Sequence, residues 1–142
     1  MRHALDLARA VAAQGEVPVG AVIVRDGQLV ASGANGRETQ QDAIRHAEIE
    51  AISRACQALG TWRLAGCELY VTLEPCLMCA GAIYQARLDR VVFGAFDPKA
   101  GAMGSLYKIH EDERLNHRLP VVGGVLATEC GQVLKDFFRA RR

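Results

Sequence analysis

A surplus of either charge is missing from this chain: 17 Lys and Arg stand against 16 Asp and Glu, a formal charge of +1 over 142 residues. That balance gives no support to a globally basic nucleic-acid binder, so a polyanionic partner has to be met by a local patch. Also missing is any apolar run near the roughly 20 residues that a membrane-spanning helix needs. Met1-Arg2-His3-Ala4-Leu5-Asp6 opens without the apolar stretch of a secretory leader. Repeats, low-complexity tracts and linkers are absent, which points to a single domain over 1–142. The five Cys are an odd number, which argues against a disulfide framework. A reduced, cytoplasmic setting is expected, where Cys-x-x-Cys reads as metal-binding or redox-active rather than as a staple. Half of the residues are apolar, enough for a sizeable core.

Hydrophobic periodicity sets out the elements. Leu5, Leu7, Ala8, Val11 and Ala12 predict an amphipathic helix over 2–14, ending near Gly15. The β-branched run at 19–24, the Asp26-Gly27 pair and a second apolar run at 29–34 predict a hairpin. Residues 35–42 read as a polar loop, and Ile44, Ala47, Ala51, Ile52, Ala55 and Leu59 predict a helix over 43–59. Strands are expected at 69–73, 90–93 and 121–126, with helices at 76–87 and 127–142. Gly94, Pro98, Gly101 and Gly104 make 95–106 a shaped loop. The helix between the third and fourth strands implies a right-handed parallel crossover. The expected fold class is α/β, a mixed five-stranded sheet with helices on both faces.

Two short segments carry the chemistry: His46-Ala47-Glu48 and Pro75-Cys76-Leu77-Met78-Cys79. Cys76 and Cys79, three apart at a helix start, present both sulfurs on one face. Pro75 suits the first turn, where its missing N–H costs nothing. The helix N-terminus favours the thiolate form that binds metal. With His46 the ligand set suits Zn²⁺, and the lack of an obvious fourth ligand leaves a coordination position for water, as in catalytic sites. Glu48 is unusual as a ligand beside thiolates but fits a general acid and base. A redox dithiol needs no His-x-Glu, and a structural zinc needs a fourth ligand, for which only His110 and His117 are at hand in a polar stretch. Cys56, Cys67 and Cys130 lack partner spacing and read as small buried side chains.

The His-x-Glu…Pro-Cys-x-x-Cys pattern is the signature of zinc-dependent deaminases. Further stretches include Glu16-Val17-Pro18-Val19-Gly20-Ala21-Val22, Leu69-Tyr70-Val71-Thr72-Leu73-Glu74, Val91-Val92-Phe93-Gly94-Ala95, Gly101-Ala102-Met103-Gly104-Ser105-Leu106, Asn116-His117-Arg118 and Asp136-Phe137-Phe138-Arg139. Together they resemble the bacterial tRNA-specific adenosine deaminase (TadA) family over most of the chain. The resemblance implies a three-layer α/β/α cytidine deaminase-like fold, one zinc ion per chain and a homodimer whose subunits share the RNA surface. It also implies hydrolytic deamination of adenosine to inosine at the wobble position of a tRNA anticodon stem-loop. On that resemblance His46, Cys76 and Cys79 bind zinc, Glu48 shuttles protons, and Asn35 contacts the base. Asp97 and Lys99 line the nucleotide path, while Phe137, Phe138 and Arg139 approach the RNA. One departure precedes His46: Asp42-Ala43-Ile44-Arg45 stands where the family has Asp-Pro-Thr-Ala. Lys135, Arg139, Arg141 and Arg142 lie beside Phe137 and Phe138 in the chain, offering charge plus stacking to single-stranded nucleic acid. Two other readings stand beside it: a deaminase of free nucleosides or bases such as cytidine or guanine, and a zinc-stabilised binding module without catalysis.

Overall fold

Strands buried continuously along their length, as β1 (Gly20–Arg25) and β4 (Arg90–Ala95) largely are, bury both faces of a sheet, and helices must then cover each side. The computed structural model, which describes residues 1–142, has that form. In chain order the elements are α1 (Arg2–Ala12), β1 (Gly20–Arg25), β2 (Gln28–Ala34), α2 (Arg37–Gln40), α3 (Ala47–Leu59), β3 (Cys67–Leu73), α4 (Leu77–Ala86), β4 (Arg90–Ala95), β5 (Val121–Val122) and α5 (Ala127–Arg139). The strands lie in the order β2-β1-β3-β4-β5. β1 pairs antiparallel with β2 and β3, while β3–β4 and β4–β5 are parallel, so the expected mixed five-stranded sheet is present.

On one face Ala21, Ile23, Leu69, Val71, Val91 and Phe93 meet Ala47, Ala51 and Ala55 of α3 and Ala80, Ile83 and Ala86 of α4. On the other, Leu5 of α1 and Cys130 of α5 pack with Ala95. The α3 contact is unusually close: a Cβ on Gly33 of β2 would lie 2.7 Å from the Ala51 nitrogen and collide with the Ala47 carbonyl. Only glycine lets the strand and the helix approach that far. At the hairpin tip Asp26 (φ 52°) and Gly27 (φ 75°) are both left-handed, as a two-residue primed turn requires.

Several boundaries differ from expectation, each for a local reason. α1 ends at Ala12, because the chain turns through Gly15 (φ 89°) into Glu16. The expected loop at 35–42 contains the single-turn α2. α3 starts at Ala47 rather than at 43, because the Asp42 carboxylate accepts the Ile44 N–H (3.2 Å) and an Arg45 guanidinium N–H (3.0 Å), closing a turn there. β3 begins earlier, at Cys67, and β4 runs on to Ala95, which pairs with Leu73. β5 is only Val121–Val122: Gly124 has φ 90°, and its N–H turns back to the Gly94 carbonyl. α5 ends at Arg139, short of the expected 142. Cys67 and Cys130 are buried as expected, but Cys56 is half-exposed near the end of α3.

The sheet order gathers one edge. Because β1 is antiparallel to β3, its start (Gly20) lies beside the end of β3, and β2 ends there too, with Ala34 opposite Gly20. β4 finishes at the same edge. A fully buried carboxylate, Glu16, pins the returning chain by accepting the N–H groups of Glu38 (3.1 Å) and Thr39 (2.6 Å). Burial alone would raise its pKa, but the hydrogen bonds from Thr39 and Glu38 and the Arg37 charge prevail and hold it below its ordinary value.

Two outcomes are expected. Leu69→Ala, at a fully buried position of β3, should cost about 2–5 kcal/mol in denaturant unfolding. The stability that the lowered Glu16 pKa contributes is present above pH 4.5, its ordinary value, and is lost as pH falls through the folded value. The stability gap between the protein and Glu16→Gln should therefore be widest near neutral pH and should narrow on acidification. A gap independent of pH would assign the effect to shape alone.

Candidate functional site

His46 is the N-cap of α3 and Cys76 the N-cap of α4, both in extended backbone and neither using its side chain to cap its helix. Their side chains are thereby free to turn toward each other. The His46 Nδ1 lies 3.6 Å from the Cys76 Sγ and 3.4 Å from the Cys79 Sγ. All three ligand atoms fall within 4.8 Å of one another. Tetrahedral zinc, with bonds of about 2.3 Å to sulfur and 2.0 Å to nitrogen, places those atoms about 3.6 Å apart. The donor set and its spacing therefore fit zinc. No fourth side chain joins them: the His117 Nε2 is engaged with the Leu88 carbonyl at 2.9 Å, and the His110 Nε2 faces Glu111 at 3.7 Å.

His46, Cys76 and Cys79 also influence one another's protonation. The Cys76 thiol is pulled down to about 3, first by the hydrogen bond from Cys79 and, against the opposing effect of burial, by His46. Cys79 is pushed up, chiefly because it shares a proton with Cys76. The His46 pKa is raised, chiefly by its hydrogen bond to Cys76. Glu48, in the first turn of α3, is 4 % exposed, and burial raises its carboxyl pKa. A buried carboxyl lining the same cavity as His46 and Cys76 is placed for proton transfer.

These groups open onto a cavity of about 300 Å³ whose lining includes Glu16, Asn35, His46, Glu48, Glu74, Cys76 and Asp97. Asn35 follows β2 directly and is 8 % exposed. Its Nδ2 donates to the Val17 carbonyl (3.1 Å), and its Oδ1 accepts the Arg37 N–H (3.3 Å). A carboxamide has a second N–H and a second lone pair, so one donor and one acceptor remain for a ligand. Asp97 follows β4, and its Oδ1 accepts the N–H groups of Lys99 (3.0 Å) and Ala100 (3.3 Å).

The structure thus brings His46, Glu48, Cys76, Asn35 and Asp97 to one cavity, with Cys79 buried behind its wall. It does not bring the other four. Lys99 is exposed outside the lining. Phe137 is 7 % exposed with the Arg141 guanidinium 3.6 Å over its ring, so it belongs to the packing of α5 and offers no open face to a base. Phe138 is 48 % exposed, and Arg139 is an exposed residue paired with Asp136 at 3.6 Å. Ala80 and Ile83 of α4 face the core. Among the lining residues not foreseen are two buried carboxylates, Glu16 and Glu74. The available signal was an acid placed directly against an apolar strand segment, in Glu16-Val17-Pro18-Val19 and in Val71-Thr72-Leu73-Glu74.

Comparison with known proteins places this geometry. The MafB19-like deaminase family matches residues 1–142. The tRNA-specific adenosine deaminase of Bacillus subtilis (strain 168) is 54% identical over 142 residues, covering 100% of this chain and 88% of the relative. A solved tRNA:A34 deaminase, studied for A-to-I editing at the wobble position of transfer RNA, superposes with a TM-score of 0.91 at 44% identity, over 94% of this chain and 97% of that one. The guanine deaminase of Nitrosomonas europaea superposes with a TM-score of 0.81 at 27% identity, over 96% of this chain and 81% of that one. The five-stranded sheet, the His46, Cys76 and Cys79 cluster and the full-length identity agree: this chain belongs to the tRNA-specific adenosine deaminase family.

Proposed function

We propose that this protein converts adenosine to inosine at the wobble position of a tRNA anticodon, releasing ammonia, as a zinc enzyme with one ion per chain. The observation that carries the reading is the meeting of His46, Cys76, Glu48 and Asn35 at one cavity. Held by His46, Cys76 and Cys79, zinc supplies Lewis acidity that lowers the pKa of water to about 7. Glu48 takes a proton from the attacking water, whose oxygen adds at C6 of adenine. The same carboxyl delivers that proton to N1 and carries the second proton to the amine, so that adenosine and water yield inosine and ammonia. Asn35 orients the purine edge through its free N–H and free lone pair. An anticodon loop presents unstacked bases, so the cavity can take one without opening a duplex.

Around the cavity, Asp97 and Lys99 belong to the nucleotide path. Phe138 and Arg139, with Lys135 and Arg142, form an exposed aromatic and basic end suited to a phosphate backbone and a stacked base. Phe137 acts there by supporting Arg141. The protein works as a cytoplasmic homodimer. Exposed apolar side chains at Leu77, Leu106 and Tyr107 offer material for a contact between copies.

The deciding assay supplies a stem-loop with a wobble adenosine and, in parallel, free adenosine, cytidine and guanine. Inosine in the RNA alone is the expected product. Turnover of guanine with inert RNA would move the chain to the metabolic reading that the Nitrosomonas europaea likeness keeps in view. Glu48→Gln should lower kcat by about 10²–10⁴-fold while the zinc content measured by mass spectrometry stays unchanged; unchanged turnover would remove Glu48 from the chemistry. Deleting residues 139–142 should weaken stem-loop binding in a salt-dependent way without changing zinc content; equal RNA affinity would refute a role for the tail.

A further inference from the structure

Glu74 is a carboxylate only 2 % exposed, and none of the protein's ion pairs includes it. Every donor it accepts comes from one segment, 97–105. The N–H groups of Asp97 (3.0 Å), Met103 (3.1 Å) and Ser105 (2.9 Å) and the Ser105 hydroxyl all point at it. Burial alone would raise its pKa, but these bonds outweigh burial and keep it low. The fit is tight, since a Cβ on Gly101 would fall on the Glu74 carboxylate. The same loop is tied back by the Ala102 N–H to the Pro75 carbonyl (2.8 Å). Asp97 and Ala100, from its first part, line the cavity together with His46 and Glu48.

A loop with so little regular structure has no ladder of its own to satisfy its N–H groups. Glu74 does what a strand neighbour would do, and does it from the residue joining β3 to the Cys76 turn. We propose that Glu74 is the positioning residue that fixes the 97–105 loop, and with it the Asp97 and Ala100 wall against which the RNA nucleotide is held. It acts on substrate binding and not on the chemical step, because the donors it accepts all belong to 97–105, which contains neither Glu48 nor a metal ligand. The inference rests on the RNA deaminase reading above.

The test compares the zinc-loaded protein with Glu74→Gln, Ser105→Ala and Ser105→Thr, using the wobble-adenosine stem-loop. Glu74→Gln keeps the shape but sets an NH₂ against N–H donors. Its KM should rise about tenfold or more while kcat stays within about threefold. Zinc content should not change, and the amides of 97–105 should lose hydrogen-exchange protection in the free protein. Ser105 is exposed, so Ser105→Ala should fold; it should show a smaller change of the same kind, which Ser105→Thr, keeping the hydroxyl, should reverse. Unchanged KM, unchanged loop protection, or a fall in kcat alone would overturn the proposal. Loss of zinc from Glu74→Gln would overturn it too, by assigning Glu74 to the Cys76 turn. Hydrogen exchange needs no substrate, so it separates failure of the loop role from failure of the RNA reading, which would appear as an inert wild-type protein.

Discussion

The N-termini of α3 and α4 are held against one point, with His46 and Cys76 as their N-caps. Each end presents unpaired N–H groups and about half a positive charge. Two such ends repel unless negative charge lies between them, and the low-pKa Cys76 sulfur supplies it. A metal bound at His46, Cys76 and Cys79 would be held by thiolates that a helix N-terminus favours. The rest of the fold can be read as what is required to hold those two ends together. Gly33 lets α3 press onto the hairpin, the alanines of α3 keep the gap narrow, and the parallel β3–β4 pair sets the direction of α4.

The walls around that point are made of irregular chain, whose N–H groups need partners of another kind. Two buried carboxylates provide them, Glu16 for the segment after Asn35 and Glu74 for the segment after β4. Neither is in an ion pair; both are stabilised chiefly by donated hydrogen bonds, with the Arg37 charge adding to Glu16 and the Ser105 hydroxyl to Glu74. The cavity is thus built from two loops, each organised around a single anion, and a floor of helix ends.

Much of this was legible in the sequence. The Asp26-Gly27 tip, the spacing of Cys76 and Cys79 and the His-x-Glu pattern are local signals, readable within a few residues. What escaped was non-local. Glu16 binds groups 22 and 23 residues away, and Glu74 binds groups 23, 29 and 31 residues away, so no window of periodicity contains donor and acceptor together. The start of α3 was misplaced because Ile44 continues the apolar spacing although its side chain ends up exposed, while the Asp42 turn sets the boundary. At the C-terminus, Phe137 and Phe138 are neighbours in sequence but differ in burial, a distinction set by the packing face of α5. The short β5 reflects Gly124, whose left-handed backbone no strand pattern in 121–126 reveals.

Because the cavity sits at one edge of the sheet, the opposite edge holds connections such as the Asp26-Gly27 tip, the turn from α3 into β3, and the turn from α4 into β4. At Gly27 a side chain would meet nothing within 4 Å. That rim is where the molecule can be opened, lengthened or fused to another domain at low cost, since a graft there projects away from the cavity. The architecture separates a workbench from a handle, and a reporter or tether belongs on the handle.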